Sequence, residues 1–422
     1  MAERLRRGLS VYKDRRQLVI LLQGFSSGLP LLLVYSTLSA RLAQAGISRT
    51  TIGLLLLAQL PYNFKFVWAP LLDRLPPPIP IGQRRGWAVT LQILLMAAMI
   101  AMGAADPATH LGLLAGLGVL VAFLSASQDI IIDAFRIEYL PPASQGAGAA
   151  VTQSGYRVAM LAAGAGALEI AGDVNWFWAY AVMGLLMAVG MITFLLTAEP
   201  APRPRPEGPA PGFAAAVQDA VINPFRDFMT RPGWLLILLF IPAYKLGEAM
   251  AGAMAKPFYI DLGFTLDEIA RMSSLVAFVT TIAGGLIGGA VVARFGMIRA
   301  LLVCGVAQSL GNLAYIALDA AGHNTAMLAV SAAAEDLTGG MAGTALVAFS
   351  SRLARPPYTA TQYALLASVM ALGRSFFTAS GGKLSEMMGW SSFFLLTTII
   401  TIPALALLHW IGKRWPTGAG ES

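Results

Sequence analysis

The stretch 127–145, Ser-Gln-Asp-Ile-Ile-Ile-Asp-Ala-Phe-Arg-Ile-Glu-Tyr-Leu-Pro-Pro-Ala-Ser-Gln, decides the fold because much of its pattern recurs at 334–362. The second copy opens Ala-Glu-Asp, passes through a proline pair at 356–357 and ends at Gln362. In both copies a glutamine then precedes an arginine by 12 residues, Gln145 before Arg157 and Gln362 before Arg374. A proline pair, a glutamine and an arginine in the same order, twice, indicate two similar halves.

Each half reads as six hydrophobic helices. The 422 residues are 57% hydrophobic and 12% charged, whereas a soluble domain carries about 25% charged residues. Runs such as 18–38 have the roughly 20 apolar residues needed to cross a bilayer. We therefore predict an all-α polytopic membrane protein with twelve transmembrane helices: 17–38, 52–75, 86–106, 111–137, 145–171, 177–197, 233–257, 267–293, 297–320, 324–352, 360–386 and 390–413.

The basic residues predict the topology. They concentrate in alternate connections, which by the positive-inside rule are cytoplasmic, and this places both termini and the central linker in the cytoplasm. The net charge of +7 is explained by these loops, so we expect no nucleic-acid partner. The only cysteine, Cys304, excludes an internal disulfide and a cysteine metal cluster. We expect no metal and no cofactor other than a coupling proton.

The predicted domains follow from this count. Residues 1–16 form a basic cytoplasmic arm, 17–198 the first bundle, 199–232 a linker, 233–414 the second bundle and 415–422 a tail. The linker begins with a proline-rich stretch at 200–211, which is typical of an extended segment. Phe213, Val217, Val221 and Phe225 recur every four residues and indicate a short amphipathic helix, lying either on the membrane surface or as an ordinary linker helix.

Ionisable residues inside the apolar stretches point to function. Each costs roughly 3 kcal/mol at the bilayer centre, so they must face one another, a wet cavity or a ligand. They fall on predicted helices 2, 4, 5, 7, 10 and 11, and the interiors of helices 3, 6, 9 and 12 lack them. Six-helix repeats with helices 3, 6, 9 and 12 facing lipid resemble the major facilitator fold, whose substrate site lies near mid-membrane between its halves. The eight residues are Lys65, Asp129, Arg157, Lys245, Glu248, Glu335, Asp336 and Arg374.

Charge type suggests roles for these residues. The cations Lys65, Arg157, Lys245 and Arg374 suggest an anionic or zwitterionic substrate. The carboxylates Asp129, Glu248, Asp336 and Glu335 are candidates for proton coupling. A permanent Asp129–Arg157 ion pair that only fastens helices 4 and 5 is the alternative. Lys245 and Glu248, three residues apart, can also pair with each other.

Uncharged residues complete the candidate site. Each of them also has an ordinary reading as a contact between helices. The candidate substrate contacts are Gln59, Tyr62, Gln128, Gln153, Tyr156 and Tyr244. The candidate cytoplasmic gate residues, near the ends of helices 2 and 4 and the start of helix 3, are Asp73, Arg84, Arg85, Asp133 and Arg136.

With these residues assembled, the chain resembles the AmpG muropeptide permease family. The matching stretches include Gly24-Phe-Ser-Ser-Gly-Leu-Pro30, Phe64-Lys-Phe-Val-Trp-Ala-Pro-Leu-Leu-Asp-Arg74 and Ala360-Thr-Gln-Tyr-Ala364. The resemblance implies a proton-driven importer of N-acetylglucosaminyl-1,6-anhydro-N-acetylmuramyl peptides in the inner membrane of a Gram-negative bacterium. It implies a role in peptidoglycan recycling and in the signal for β-lactamase induction, and hence in antibiotic resistance. We expect a monomer in the lipid bilayer.

Two other functions remain open from the sequence. One is a carrier or exporter of another organic anion. The other is a non-transporting membrane assembly factor, which predicts a collapsed cavity. The sequence contains no phosphate loop of the G-x-x-x-x-G-K-[ST] type, so ATP is not expected to drive the protein directly, and we expect a secondary transporter rather than an enzyme.

Overall fold

The computed structural model describes residues 11–48, 51–52, 55, 60–200 and 222–414. Within this part the long elements are all α-helices and no strand occurs, as the sequence predicts. In chain order they are α1 (Arg15–Gln44), α2 (described over 60–74), α3 (Gln83–Ala104), α4 (Leu111–Tyr139), α5 (145–173), α6 (Trp176–Leu196), α7 (Trp234–Asp261), α8 (Leu266–Phe295), α9 (Met297–Ala321), α10 (Thr325–Leu353), α11 (Thr359–Met388) and α12 (Trp390–Arg414).

Several helices are interrupted along their length. In α2 a 3₁₀ segment, Lys65–Val67, separates two short α-helical pieces, and α7 breaks at Lys245, just after Pro242. A π-helical segment, Ala162–Gly166, lies within α5. Such breaks free backbone groups, which a bilayer tolerates only where they are buried in protein or line a wet space. Two of the predicted intramembrane cations, Lys65 and Lys245, therefore lie at helix breaks.

Eight of the described helices are long and apolar enough to cross a membrane: α1, α3, α4, α6, α7, α8, α9 and α12. The other four, α2, α5, α10 and α11, are interrupted or rich in polar and small residues. They carry Lys65, Arg157, Glu335, Asp336 and Arg374. Helices that face a wet interior need less apolar surface, which agrees with the charged residues on α5, α10 and α11; of α2 only 60–74 is described, too short a stretch to be judged.

The first bundle packs closely through small residues. A Cβ at Gly155 of α5 would lie 2.2 Å from the carbonyl oxygen of Leu21 on α1, and one at Gly24 would lie 2.4 Å from that of Thr152. Glycine at these positions lets the two backbones touch, as at other membrane helix crossings. One apolar cluster of buried residues fills the rest of this bundle.

The second bundle has two apolar clusters instead of one. The first contains Phe240 and Phe349, and the second contains Phe258 and Phe394. Along both α7 and α10, the charged residues lie in sequence between the members of the two clusters. The second bundle is therefore divided by a polar level near its middle.

The two bundles meet mainly at one end, which we call the terminal face. It contains the start of α1, the α2–α3, α4–α5 and α10–α11 connections and the end of α12. Here α5 packs against α8, and a Cβ at Gly289 would lie 2.9 Å from the carbonyl oxygen of Gly146. The end of α4 and the described part of α2 pack against α11. The bundles are therefore closed against each other at the terminal face.

Some predictions fall outside the described residues. These are most of the arm (1–10), the proline-rich segment and most of the amphipathic helix (201–221), and the tail (415–422). The end of that predicted helix is described as a short linker helix, Asn223–Met229, with Pro224 and Phe228 buried. The predicted domain limits stay a prediction. Helix α1 runs to Gln44 instead of the predicted 38, because the chain resumes a helix at Ser36 after a break at Val34 and Tyr35.

Candidate functional site

The first charged cluster belongs to the first bundle and centres on Asp129 of α4. Ser27 of α1 donates a hydrogen bond to the Asp129 carboxylate at 2.5 Å. Lys65 of α2 is buried and lies within electrostatic range of the same carboxylate, as do Tyr62 and Tyr156. Three neighbouring helices therefore converge on Asp129.

The structure does not pair Asp129 with Arg157. Among the described residues, the hydrogen-bond partner of Asp129 is Ser27 and its nearby cation is Lys65. The Arg157 side chain is instead exposed and lies within electrostatic range of Asp336 and Lys245 in the second bundle. The alternative of a permanent Asp129–Arg157 fastener is therefore wrong for this arrangement.

The second charged cluster lies at the break in α7. Lys245 forms an ion pair with Glu248, as their spacing allows. Its ammonium also lies 3.4 Å from the carbonyl oxygen of Gly339 and 3.5 Å from the side-chain oxygen of Gln308. The side chains of Lys245 and Glu248 keep 17% and 26% of their surface exposed. The pair is therefore partly accessible although it lies near the middle of the helix.

The carboxylates of α10 extend this second cluster. The hydroxyl of Tyr315 on α9 donates to Glu335, and Thr281 on α8 donates to Asp336 at 3.2 Å. Lys245 and Arg374 lie within electrostatic range of Glu335, and Arg374 is exposed. Together with Arg157, these residues place charged groups of both bundles around one partly exposed space between them.

Gln153 belongs to this space by its helical position. It lies four residues before Arg157 and seven after Gly146, so the three share one face of α5, the face that meets α8. Both Gln153 and Arg157 are exposed. Tyr156, in contrast, is adjacent to the α1 crossing, where its backbone approaches Gly28, and it is half-buried.

Two predicted substrate contacts are sealed within a bundle. Gln128 is fully buried and donates to the carbonyl oxygen of Ser26 on α1 at 3.0 Å. Tyr244 is fully buried, and its hydroxyl donates to the carbonyl oxygen of Leu301 on α9 at 2.9 Å. Both side chains face a neighbouring helix because of the rotation of α4 and α7, so neither reaches the shared space in this arrangement. Gln59 lies outside the described residues.

Asp73 and Arg136 join the bundles at the terminal face. Asp73 accepts from the Arg84 guanidinium at 2.8 Å within the first bundle, and from the backbone N–H and the hydroxyl of Thr361 on α11 at 2.8 and 2.7 Å. The Arg136 guanidinium donates to Ser351 on α10 at 3.0 Å. All these side chains are buried. Three of the predicted gate residues, Asp73, Arg84 and Arg136, therefore lie where the bundles close.

The other two predicted gate residues act within the first bundle. Arg85 donates to the carbonyl oxygens of Phe194 and Leu195 at 2.7 and 2.9 Å and so caps the end of α6. Asp133 pairs with Arg136 one turn along the same helix at 3.1 Å. Arg85 therefore ties α3 to α6 in this arrangement, and Asp133 contacts the gate residue Arg136; a gate role for either residue stays a prediction.

The residues that sequence reasoning missed are mostly hydroxyl donors. Ser27, Thr281, Tyr315, Ser351 and Thr361 each contact a charged residue named above. Serine, threonine and tyrosine are common in membrane helices, so type alone carries no signal. Tyr315 was missed because α9 was assigned to the lipid boundary. No group of His, Cys, Asp and Glu within the described ranges could hold a metal ion.

Two all-α bundles, closed at one face and carrying charged groups of both halves between them, have the architecture of a membrane transporter with a site between its halves. Comparison with known proteins gives the particular family. The Major Facilitator Superfamily model matches residues 18–246 and 243–420. The Escherichia coli fucose:proton symporter superposes with a TM-score of 0.73 at 13% identity, covering 94% of this chain and 98% of that one.

Sequence relatives are closer. The anhydromuropeptide permease of Escherichia coli K12 is 39% identical over 402 residues, covering 95% of this chain and 80% of the relative. A putative transporter, AmpG 4, of Rickettsia felis is 37% identical over 409 residues, covering 96% of this chain and 98% of the relative. The chain belongs to the AmpG permease family of the Major Facilitator Superfamily and is a multi-pass membrane protein.

Proposed function

We propose that this protein is a proton-coupled importer of N-acetylglucosaminyl-1,6-anhydro-N-acetylmuramyl peptides in a bacterial inner membrane. The observation that carries the proposal is the charged space shared by the two bundles, with Arg157 of one bundle within electrostatic range of Asp336 and Lys245 of the other. A disaccharide peptide presents hydroxyl, amide and carboxylate groups, which such a space can bind. The permease relative in Escherichia coli is named for anhydromuropeptides.

Import is the direction that we propose, and the orientation of the charges is compatible with it. Basic residues concentrate in the connections of the terminal face, and the positive-inside rule assigns such a face to the cytoplasm. Both termini are then cytoplasmic. In that orientation the described arrangement is closed toward the cytoplasm, which is the state that receives a substrate from the periplasm. Import would return wall fragments for recycling and supply the signal for β-lactamase induction.

The exposed cations are suited to the substrate carboxylates. Arg157 and Arg374 are exposed, and a guanidinium binds a carboxylate through two parallel hydrogen bonds. Lys65 and Lys245 are closer to carboxylates of the protein, so they bind substrate and balance protein charge in turn. Tyr62, Tyr156 and Gln153 supply rings and amide groups for the sugars and the peptide.

The coupling proton is carried by a carboxylate of the space. Asp129 is our first choice because it joins α1, α2 and α4 through Ser27 and Lys65, so a change in its charge acts on three helices at once. Glu248, Glu335 and Asp336 are the other candidates.

Uptake of labelled anhydromuropeptide into membrane vesicles tests substrate and driving force together. We expect uptake to require an inward pH gradient. Asp129→Asn should lower gradient-driven uptake at least ten-fold. It should retain the exchange of labelled for unlabelled substrate. Asp106→Asn, an exposed carboxylate on a connecting loop, is the matched control. Absence of uptake by the unaltered protein would refute the proposed substrate. Normal gradient-driven uptake by Asp129→Asn would remove Asp129 from the mechanism.

A further inference from the structure

A groove of about 850 Å³ lies between the bundles at the terminal face, separate from the charged space. Residues of α1, α5 and α8 line it, together with Tyr12 just before α1. Most of the lining side chains are aliphatic, and several of them are exposed, including Leu18 at 59% and Ile287 at 44%. Exposed aliphatic side chains on a membrane helix face lipid, so the groove opens sideways into the bilayer. Leu21 of α1, Val151 of α5, and Leu286 and Ala290 of α8 are among the lining residues.

Polar groups occur at one end of this groove. Arg294, near the end of α8, is exposed. Gln17 is 4% exposed, and neither its amide nitrogen nor its amide oxygen has a hydrogen-bond partner. A buried amide without a partner is unfavourable, and a ligand that supplies one removes that cost. A ligand with polar atoms at this end and apolar chains beyond it would match both features.

Charge selects among such ligands. Arg294 is the one ionisable group apart from the Tyr12 phenol among the lining residues that the structure describes, and no carboxylate lines the groove there. Lys13 and Arg15, at the start of α1, are exposed nearby in the chain. Burial raises the pKa of Tyr12, so its hydroxyl stays a neutral donor. The charge at this end therefore favours an anionic head group.

We propose that the groove binds one anionic phospholipid, with its phosphate near Arg294 and Gln17 and an acyl chain along α1, α5 and α8. The site is composed of both bundles, and the hydroxyl of Tyr12 donates to the carbonyl oxygen of Leu286 across it at 2.7 Å. A lipid that contacts both bundles here stabilises the arrangement closed at the terminal face, because separation of α5 and α8 would remove one side of its site.

Native mass spectrometry of the purified protein, titrated with phosphatidylglycerol or phosphatidylcholine, tests the site. One cation near a lipid head group contributes about 1 kcal/mol, so we expect about a five-fold preference for one phosphatidylglycerol. Arg294→Gln should abolish this preference. Arg299→Gln is the matched control, since Arg299 is exposed two residues into α9 and does not line the groove.

Ala290→Trp tests the acyl-chain part of the site independently. The indole would fill the groove, so tight binding of either lipid should disappear. Equal loss of preference in the two arginine variants would mean general surface attraction only and would overturn the proposal. Retention of the tightly bound lipid in Ala290→Trp would place it elsewhere.

Discussion

At the scale of single residues, three of the four candidate proton-coupling carboxylates share one kind of partner. Ser27 donates to Asp129, Tyr315 to Glu335 and Thr281 to Asp336. A hydroxyl can donate to a carboxylate and can also accept from a protonated carboxylic acid. Such a contact persists in both protonation states, whereas an ion pair is lost on protonation. Hydroxyl partners therefore suit groups that gain and lose a proton during a cycle.

Tyr315→Phe isolates the hydroxyl on Glu335. The ring would keep its stacking on Phe394 at 4.4 Å, so we expect the apparent melting temperature to fall by no more than a few degrees. Glu335 would lose a buried hydrogen bond, whose removal costs about 1–3 kcal/mol. We expect gradient-driven uptake to fall about ten-fold, measured with labelled anhydromuropeptide in vesicles.

Tyr244→Phe is the matched control for Tyr315→Phe. Its hydroxyl donates to a backbone carbonyl in the same bundle. Removal of the hydroxyl should lower the melting temperature slightly, since one neutral hydrogen bond contributes little to stability. Uptake should stay within about two-fold of that of the unaltered protein, because the hydroxyl does not contact a charged residue of the shared space. A large loss of uptake in Tyr244→Phe would restore the sequence prediction that Tyr244 contacts substrate. Equal uptake in both variants would refute the role of the Tyr315 hydroxyl.

At the scale of secondary-structure elements, the linker helix Asn223–Met229 is fastened to the α10–α11 connection. The Arg231 guanidinium donates to Asp227 at 2.8 Å, to Gln362 at 2.9 Å and to the carbonyl oxygen of Leu353. The Gln362 amide donates to Asp227 at 2.6 Å. Gln362 is the glutamine of the repeated motif, and its counterpart Gln145 donates to two carbonyl oxygens at the end of α4. In both halves this glutamine braces the turn between helices.

The Asp227 contact predicts a dependence of stability on pH. Burial acts to raise the pKa of Asp227, but hydrogen bonds from Arg231 and Gln362 and the nearby positive charges outweigh it, so the pKa is lowered. The contribution is therefore complete above the ordinary aspartate pKa of about 3.9 and is lost as the pH falls through the lower folded value. Asp227 is 47% exposed, so we expect less than about 1 kcal/mol.

A pH series of thermal unfolding measures this contribution. Asp227→Asn should melt at most about 2 °C below the unaltered protein at pH 6, and the difference should close below about pH 3. Arg231→Gln should have a similar effect, and the double variant should be less destabilised than the sum of the two. A constant difference across the whole pH range would contradict an ionic contact at Asp227.

Elements were more predictable from the sequence than the orientation of their side chains. The predicted range 111–137 became Leu111–Tyr139 because a long apolar run ends at a proline pair. The faces presented by Gln128 and Tyr244 could not be predicted, because they depend on how a helix is rotated against its neighbours. The break at Lys245 had a signal in Pro242, but proline alone does not say whether a membrane helix bends or breaks.

At the scale of the whole molecule, three side-chain hydrogen bonds that join the bundles within the described residues lie toward the terminal face. They are Tyr12 to Leu286, Arg136 to Ser351, and Thr361 to Asp73. A charge-assisted hydrogen bond contributes about 1.5–3 kcal/mol. Polar contacts of this strength can be broken when a ligand or a proton stabilises another arrangement, as the proposed alternating access requires. The partly exposed charges deeper between the bundles lie beyond this closure.

Asp73→Asn should open the terminal face. The neutral amide would lose the charge-assisted bonds to Thr361. Where its NH₂ group replaces the accepting oxygen, two donors would face each other. Loss of about 1.5–3 kcal/mol shifts the closed-to-open ratio by about ten-fold or more. The distance between spin labels on Ala143→Cys and Arg355→Cys, both exposed on terminal-face connections, should gain a longer population in a Cys304→Ala background. Thr361→Val, which keeps its backbone N–H, should give a smaller shift.

Glu138→Gln is the matched control, because Glu138 also pairs with Arg84 at 2.8 Å but both residues belong to the first bundle. An unchanged distance distribution in Asp73→Asn, or an equal shift in Glu138→Gln, would show that the Asp73–Thr361 contact does not hold the bundles together.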